Sequence, residues 1–269
     1  MSQALALAKK SQAKARPNPS VGAIVVKDEK IVGKGSHETA GQDHAEVIAL
    51  KDAGLLSKGA DLYVTLEPCN HQGKTPPCTS RIISAGISNV YIAMKDPNPL
   101  VNGLGIEYLK NNGINVISGI MEEEAEKLNL GFINRMIKSR PYIRSKIAIS
   151  LDGKTSLFNG QSQWITSEAS RADVQKWRLK SCGILTGRGT INSDDPSLSV
   201  RTLSLNHQPL RIILDSHLRV KVESKILQQS NVIVFYGADK NLNLTKLKKT
   251  KAEFIKIPLL DKKINLVEL

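Results

Sequence analysis

The period of apolar positions changes repeatedly along the chain, and each change predicts an element. SQALALAKKSQAKA, residues 2–15, has helical spacing. VGAIVVK and KIVGKGS flank Asp28-Glu29 and read as a hairpin. HAEVIALKDAG predicts a helix that ends at Gly54. DLYVTLE is a strand, TSRIISAG a short helix, NVYIAM a strand, GIEYLKNNG a helix, INVISG a strand and MEEEAEKLNLGFINRMIK a longer helix. Strands joined by crossover helices predict a layered α/β sheet.

Ser139-Arg140-Pro141 breaks this pattern and places a domain boundary, giving expected domains at 1–140 and 141–269. The second set runs strand YIRSKIAISL, turn DGK, helix EASRADVQKWRLKS, strand CGILTG, then strands near LRIILD and NVIVFY. No internal repeat occurs, and 269 residues suit one large or two ordinary domains.

Charge adds less than its size suggests. Lys and Arg number 38 against 25 Asp and Glu, which invites an anionic partner. The lysines are scattered, many of them over the last thirty residues, so most of the excess reads as a solvated surface. Aromatic residues are only 4%, which argues against a base-stacking platform. No run of about 18 apolar residues exists to span a membrane. ALALA is cut off by Lys9 and Lys10, too soon for a signal peptide, so a cytoplasmic location is expected.

Three cysteines, Cys69, Cys78 and Cys182, are an odd and low count for a disulfide framework. Cys182, in CGILTG, is expected to be a small buried hydrophobe. Cys69 and Cys78 close the segment PCNHQGKTPPC. Gly73-Lys74-Thr75 within it imitates the tail of a phosphate loop. The required earlier glycine is Pro68, however, and two prolines after Thr75 prevent the helix that should follow.

His44-Ala45-Glu46 opens the helix upstream, and after a strand come Pro-Cys and a second Cys. This order matches the zinc deaminase signature. Zinc takes an imidazole and two thiolates and keeps a fourth position for water. A carboxylate that does not ligate must carry protons from that water to the leaving amine. His44, Cys69 and Cys78 are the expected ligands and Glu46 the expected proton carrier. Each residue alone would read as structural; the four in this order, with proline before the first cysteine, point to the metal. Eight residues separate the cysteines, where many deaminases have two. The enlarged loop places His71 and Lys74 over the metal.

RPNPSVGAIVV, HAEVIAL, VTLEPCNHQGKTPPC, DPNPLVNGLG and KIAISLDGK…GQSQWIT…ADVQKWR…ILTGRGTINSDDPSL together resemble the bifunctional pyrimidine deaminase/reductase family of riboflavin biosynthesis. The resemblance implies a cytidine-deaminase-like three-layer domain followed by a dihydrofolate-reductase-like α/β domain. It implies deamination of a phosphoribosylamino-pyrimidine with one Zn2+, then NADPH reduction of the ribosyl to a ribityl chain. It carries over Asn18, His71 and Lys74 as deaminase substrate contacts, and Lys146, Ser162, Arg178, Leu198 and Arg201 as reductase substrate contacts. Ala148, Trp164, Thr190, Asp194 and Ser216 would face NADPH. Two arginines suit a sugar phosphate on their own chemistry. TGRGTINSDD is not a GxGxxG fingerprint, and a Trp such as Trp164 is more often core than a cofactor platform.

The family's reductase domain continues with a Glu-Gly-Gly stretch and a substrate-contacting Glu, neither of which is found up to Leu269. The reductase domain is therefore expected to be incomplete. A fragment of a longer protein, a deaminase with a degenerate reductase, and a domain completed through a dimer all fit. A small-molecule substrate, no nucleic acid, no membrane and a homo-oligomer complete the expectation. A nucleoside or transfer-RNA deaminase is the second reading. A non-catalytic protein with structural zinc is the third, disfavoured because structural sites usually have four protein ligands.

Overall fold

The structure is a computed structural model. It describes residues 1–72, 76–99, 101–201, 208–239 and 243–269. The chain divides into two compact units, Met1–Lys146 and Ile147–Leu269.

The first unit runs α1 (Ser2–Ser11), β1 (Gly22–Lys27), β2 (Lys30–Ser36), α2 (Ala45–Ala53), β3 (Asp61–Leu66), α3 (Cys78–Ser84), β4 (Asn89–Met94), α4 (Leu104–Asn111), β5 (Asn115–Ser118) and α5 (Glu122–Lys138). The five strands form one sheet in the order β2-β1-β3-β4-β5. The hairpin β1-β2 and the pair β1-β3 are antiparallel, while β3-β4 and β4-β5 are parallel. The parallel half follows from the crossover helices α3 and α4, which return the chain to the same end of the sheet. Val25, Leu62, Val64 and Ile92 are fully buried at the centre, with Ala49 and Leu109 from the helices packed on them.

How closely α2 approaches the sheet is fixed by residues without side chains. A Cβ on Gly35 of β2 would lie 2.1 Å from the carbonyl oxygen of Ala45, and one on Gly33 would lie 2.2 Å from that of Ala49. The facing side of α2 is Ala45, Ala49 and Ala53, all buried. The helix therefore rests almost backbone on backbone, with His44 at its amino-terminal cap. Helix α5 is interrupted at Asn129, whose φ of −118° is not helical. That side chain accepts from the Ser20 amide at 2.8 Å and donates to the Ser20 carbonyl at 3.1 Å, tying α5 to the start of β1.

The second unit runs α6 (Glu168–Lys180), β6 (Gly183–Gly187), α7 (Arg188–Asp194), β7 (Leu210–Leu214), β8 (Val232–Tyr236), α8 (Leu244–Leu247) and β9 (Glu253–Lys256), with a small β10-β11 pair at 259–264. Strands β6-β7-β8-β9 are parallel in that order. Ile213, Val234, Leu218, Ile226, Leu227 and Leu247 form its core.

Two expectations are corrected here. YIRSKIAISL is not a strand; residues 141–150 have no regular structure and Ile143 and Ile147 are 82% and 67% exposed. A strand is stable only when a neighbour takes up its backbone groups, and among the described residues no strand pairs with this segment. Cys182 is exposed rather than buried. It precedes β6, the edge strand of its sheet, where Leu185 is also 53% exposed.

Replacing Gly35 with Ala should force α2 off the sheet. The expected cost in chemical unfolding is about 1–3 kcal/mol, the usual range for overpacking. Zinc affinity should fall with it, because His44 and Glu46 ride on α2; equilibrium dialysis would show whether it does.

Candidate metal centre and its surroundings

Three element ends converge on one point. His44 caps α2, Glu46 lies in its first turn, Cys69 follows β3 by three residues, and Cys78 is the first residue of α3. The ligand atoms of His44, Cys69 and Cys78 all lie within 4.8 Å of one another. His44 Nδ1 is 3.2 Å from Cys78 Sγ and 3.6 Å from Cys69 Sγ, and the Cys78 amide donates to Cys69 Sγ at 3.4 Å. Two sulfurs and an imidazole nitrogen this close are a soft, tetrahedron-compatible donor set that fits Zn2+. Cys69 is free of any disulfide, as is the fully buried Cys78.

Without a metal the same atoms share protons. The hydrogen bond from Cys78 holds the Cys69 thiol down at about 4, helped by His44. Cys78 is pushed up by that hydrogen bond, by its burial and by the neighbouring Glu46. His44 is raised, first by its bond to Cys69. Glu46 is 3% exposed, and burial pushes its carboxyl up from 4.5 to about 7. A carboxyl balanced near neutrality, beside the ligands yet outside the three-donor cluster, is suited to accepting and returning a proton.

Glu67 is a functional residue that the sequence reading missed. It is 3% exposed and accepts four backbone hydrogen bonds. Oε2 takes those of Asp96 (3.1 Å) and Gly103 (2.9 Å), and Oε1 those of Gly105 (3.0 Å) and Ile106 (3.3 Å). This carboxylate ties the amides of Asp96, Gly103, Gly105 and Ile106 to the strand end that carries Cys69. Asp96 is buried there and raised to about 6, chiefly by burial, with Glu67, His71 and Cys69 among its electrostatic neighbours. The available signal was a lone acid closing an apolar strand, DLYVTLE.

His37 is a second missed residue. It is 3% exposed and its ring meets that of His44 edge-on, with centroids 5.4 Å apart. Its Nε2 is 3.1 Å from Asn18 Nδ2, so Asn18 is brought to within one imidazole of the metal cluster. His71 is exposed at the loop beyond Cys69. Lys74 lies outside the described residues.

In the second unit, three of the expected substrate residues come together. Arg178 of α6 donates to the Ser199 carbonyl at 3.1 Å, and the Arg201 amide donates to Gln175 Oε1 at 3.1 Å. Burial and the nearby Arg201 cation both lower the Arg178 guanidinium. Leu198 lies in the same segment at a φ of 51°. Two guanidiniums held together suit a phosphate. Lys146 is exposed and Ser162 half-buried on the irregular segment.

Ser216 lines a cavity of about 440 Å³ at the carboxyl ends of β6 and β7, with Arg188, His217, Arg219 and Lys263. Its lining mixes the cations of Arg188, Arg219, Lys262 and Lys263 with the carboxylates of Asp215 and Asp261. Ala148, Trp164, Thr190 and Asp194 do not line it. Trp164 is 69% exposed, with Arg171 stacked over its ring at 4.4 Å.

Among the described residues the soft metal site is one protein ligand short of four, and with a proton carrier at its side it is arranged for hydrolysis rather than for bracing a fold. The class is the zinc deaminases: residues 1–94 match the family model of the cytidine and deoxycytidylate deaminase zinc-binding region. Residues 141–269 match the RibD C-terminal domain. The chain is 48% identical over 258 residues to the riboflavin biosynthesis protein RibD of Aquifex aeolicus, covering 95% of this chain and 70% of that protein. Among solved structures, Acinetobacter baumannii RibD, form 1, superposes with a TM-score of 0.88 at 44% identity over 96% of this chain and 73% of that one. The deaminase/reductase of Thermotoga maritima gives 0.83 at 37% identity, over 95% of this chain and 79% of that one. The chain belongs to the RibD family of riboflavin biosynthesis proteins, with a cytidine-deaminase-like domain and a RibD C-terminal domain. It spans about two thirds of the length of the curated relatives it matches.

Two outcomes are expected. Glu67→Ala would strand three buried amides and the part-buried one of Gly103, and should lower stability by roughly 3 kcal/mol in urea unfolding, hydrogen bonds to a charged group being among the stronger ones. Glu46 is raised in the fold, so in the metal-free protein its contribution is present below 4.5 and lost as pH climbs to about 7. Unfolding titrations of the metal-free protein should show that loss, and Glu46→Gln should remove a part on the order of 3 kcal/mol.

Proposed function

We propose that the chain hydrolytically deaminates 2,5-diamino-6-(5-phosphoribosylamino)pyrimidin-4(3H)-one to 5-amino-6-(5-phosphoribosylamino)uracil, a step of riboflavin biosynthesis. The observation that carries this reading is the convergence of His44, Cys69 and Cys78 within 4.8 Å beside the buried Glu46. The family membership narrows the substrate to a phosphoribosylamino-pyrimidine. His44 Nδ1 and the two sulfurs would hold the zinc. When bound, zinc supplies a water acidic enough to be hydroxide near neutral pH.

The chain's own residues carry the rest. Glu46 accepts the proton of the attacking oxygen as the C–O bond forms, and passes it to the exocyclic nitrogen as the C–N bond breaks and ammonia leaves. Its burial supports this, since it holds the carboxyl beside the metal ligands and away from bulk water that would compete for the proton. In this reading Asn18 contacts the pyrimidine and His71 the sugar-phosphate side. Lys74 completes that side in this reading. For the reductase step this reading gives the sugar phosphate to Arg178, Leu198 and Arg201, with Lys146 and Ser162 as the further substrate contacts. Ala148, Trp164, Thr190, Asp194 and Ser216 belong to the NADPH side of the reduction that follows in the family. The proposal commits to the deamination. It also takes the chain as a cytoplasmic homo-oligomer, a reading supported by the resemblance alone; sedimentation of the purified protein checks the assembly.

Glu46→Gln separates catalysis from metal binding. The variant should keep one zinc per chain by metal analysis. Ammonia release from the pyrimidine should fall by about 100-fold or more, since general acid–base catalysis contributes on that order.

A further inference from the structure

His37 links two parts of the deaminase domain that share no secondary-structure element. Its Nδ1 is 3.1 Å from the carbonyl oxygen of Asp43, the residue before His44. A carbonyl only accepts, so Nδ1 carries the proton. The neutral ring then offers Nε2 as an acceptor, and the group 3.1 Å away is the Asn18 amide nitrogen. That amide therefore has one orientation: its NH2 donates to His37 and its Oδ1 is left over. Oδ1 of Asn18 accepts from none of the described residues. Asn18 sits in the loop before β1, held there by its own amide's bond to the Ala15 carbonyl at 2.9 Å.

An asparagine amide free to flip would offer either a donor or an acceptor to a ligand. We propose that His37 is a positioning residue that fixes the Asn18 amide, so that its carbonyl oxygen is the atom presented to the pyrimidine and selects a ring amine or N–H. This inference rests on the deaminase reading for its substrate, while the hydrogen bond between the two residues stands independently of it. Asp43 anchors the device to the residue that begins the metal site, so the oxygen's position is referred to the metal rather than to the loop.

Two substitutions divide the roles of the ring nitrogens. His37→Gln places an amide oxygen near Nε2 and can still accept from Asn18. His37→Asn places an amide nitrogen near Nδ1, keeps the bond to Asp43 and leaves Asn18 unheld. With zinc-loaded protein and the diaminopyrimidine, kcat/KM of His37→Gln should stay within about 3-fold of wild type. His37→Asn and Asn18→Ala should each lose about 10- to 100-fold, the range found when a group supporting a site residue is removed. The double variant His37→Asn/Asn18→Ala should be no worse than Asn18→Ala, since the residues act in series.

Purely structural anchoring through Asp43 predicts the reverse ranking, and that ranking, or losses that multiply in the double variant, would overturn the proposal. Long-range 1H–15N spectra of the wild-type protein decide the hydrogen bond without any substrate. The Nδ1–H tautomer supports it, and an Nε2–H ring refutes it. Wild-type protein that releases no ammonia would sink the deaminase reading, with the spectra still deciding the His37–Asn18 bond.

Discussion

Bare backbone contact between α2 and β2 sets the depth of the whole site. Gly33 and Gly35 face Ala45, Ala49 and Ala53 with no side chain large enough to hold the two apart. Close-packed interiors transmit small displacements, so the helix cannot move outward without carrying its first turn with it. That turn holds one metal donor and the proton carrier. The cysteines come to meet it from the other side, where the parallel pairing of β3 and β4 delivers the strand end of Cys69 and the helix start of Cys78 to the same place. Glu67 then ties Asp96, Gly103, Gly105 and Ile106 to that strand end through their four amides. The site is a junction of element ends, each fixed by a different local contact.

Burial gives the junction its chemistry. A carboxyl at Glu46 kept from water favours its neutral form, and the two sulfurs beside it share protons with His44 instead of ionising independently. His44, Cys69 and Cys78 would hold a divalent cation as imidazole and thiolates, and its charge would favour the charged form of Glu46. The second unit shows a simpler version of the same principle. Burial, and then the nearby Arg201 cation, lower the guanidinium of Arg178.

Residues whose chemistry depends on order along the chain were legible in the sequence. His44, Glu46, Cys69 and Cys78 announce themselves by type and spacing, and the alternation of elements in the first unit follows its apolar periods. Residues whose importance lies in which backbone groups surround them were not. Glu67 looks like the polar end of a strand, and its four amides come from residues about 30 to 40 positions later. His37 looks like a loop histidine until Asn18 and Asp43 are seen on either side of it. YIRSKIAISL has the composition of a strand, but a strand is a property of two segments, and composition reports only one. Cys182 misled for a related reason: an apolar run says nothing about whether its strand is central or at an edge.

The account turns on water attacking the pyrimidine at the carbon that loses its amine. Incubating the zinc-loaded chain with the diaminopyrimidine in 18O-labelled water, and weighing the product by mass spectrometry, tests this most directly. The account predicts a deaminated product carrying one 18O at the former amine position, formed in step with an equal quantity of ammonia. An unchanged pyrimidine, or a deaminated product without the label, would contradict it.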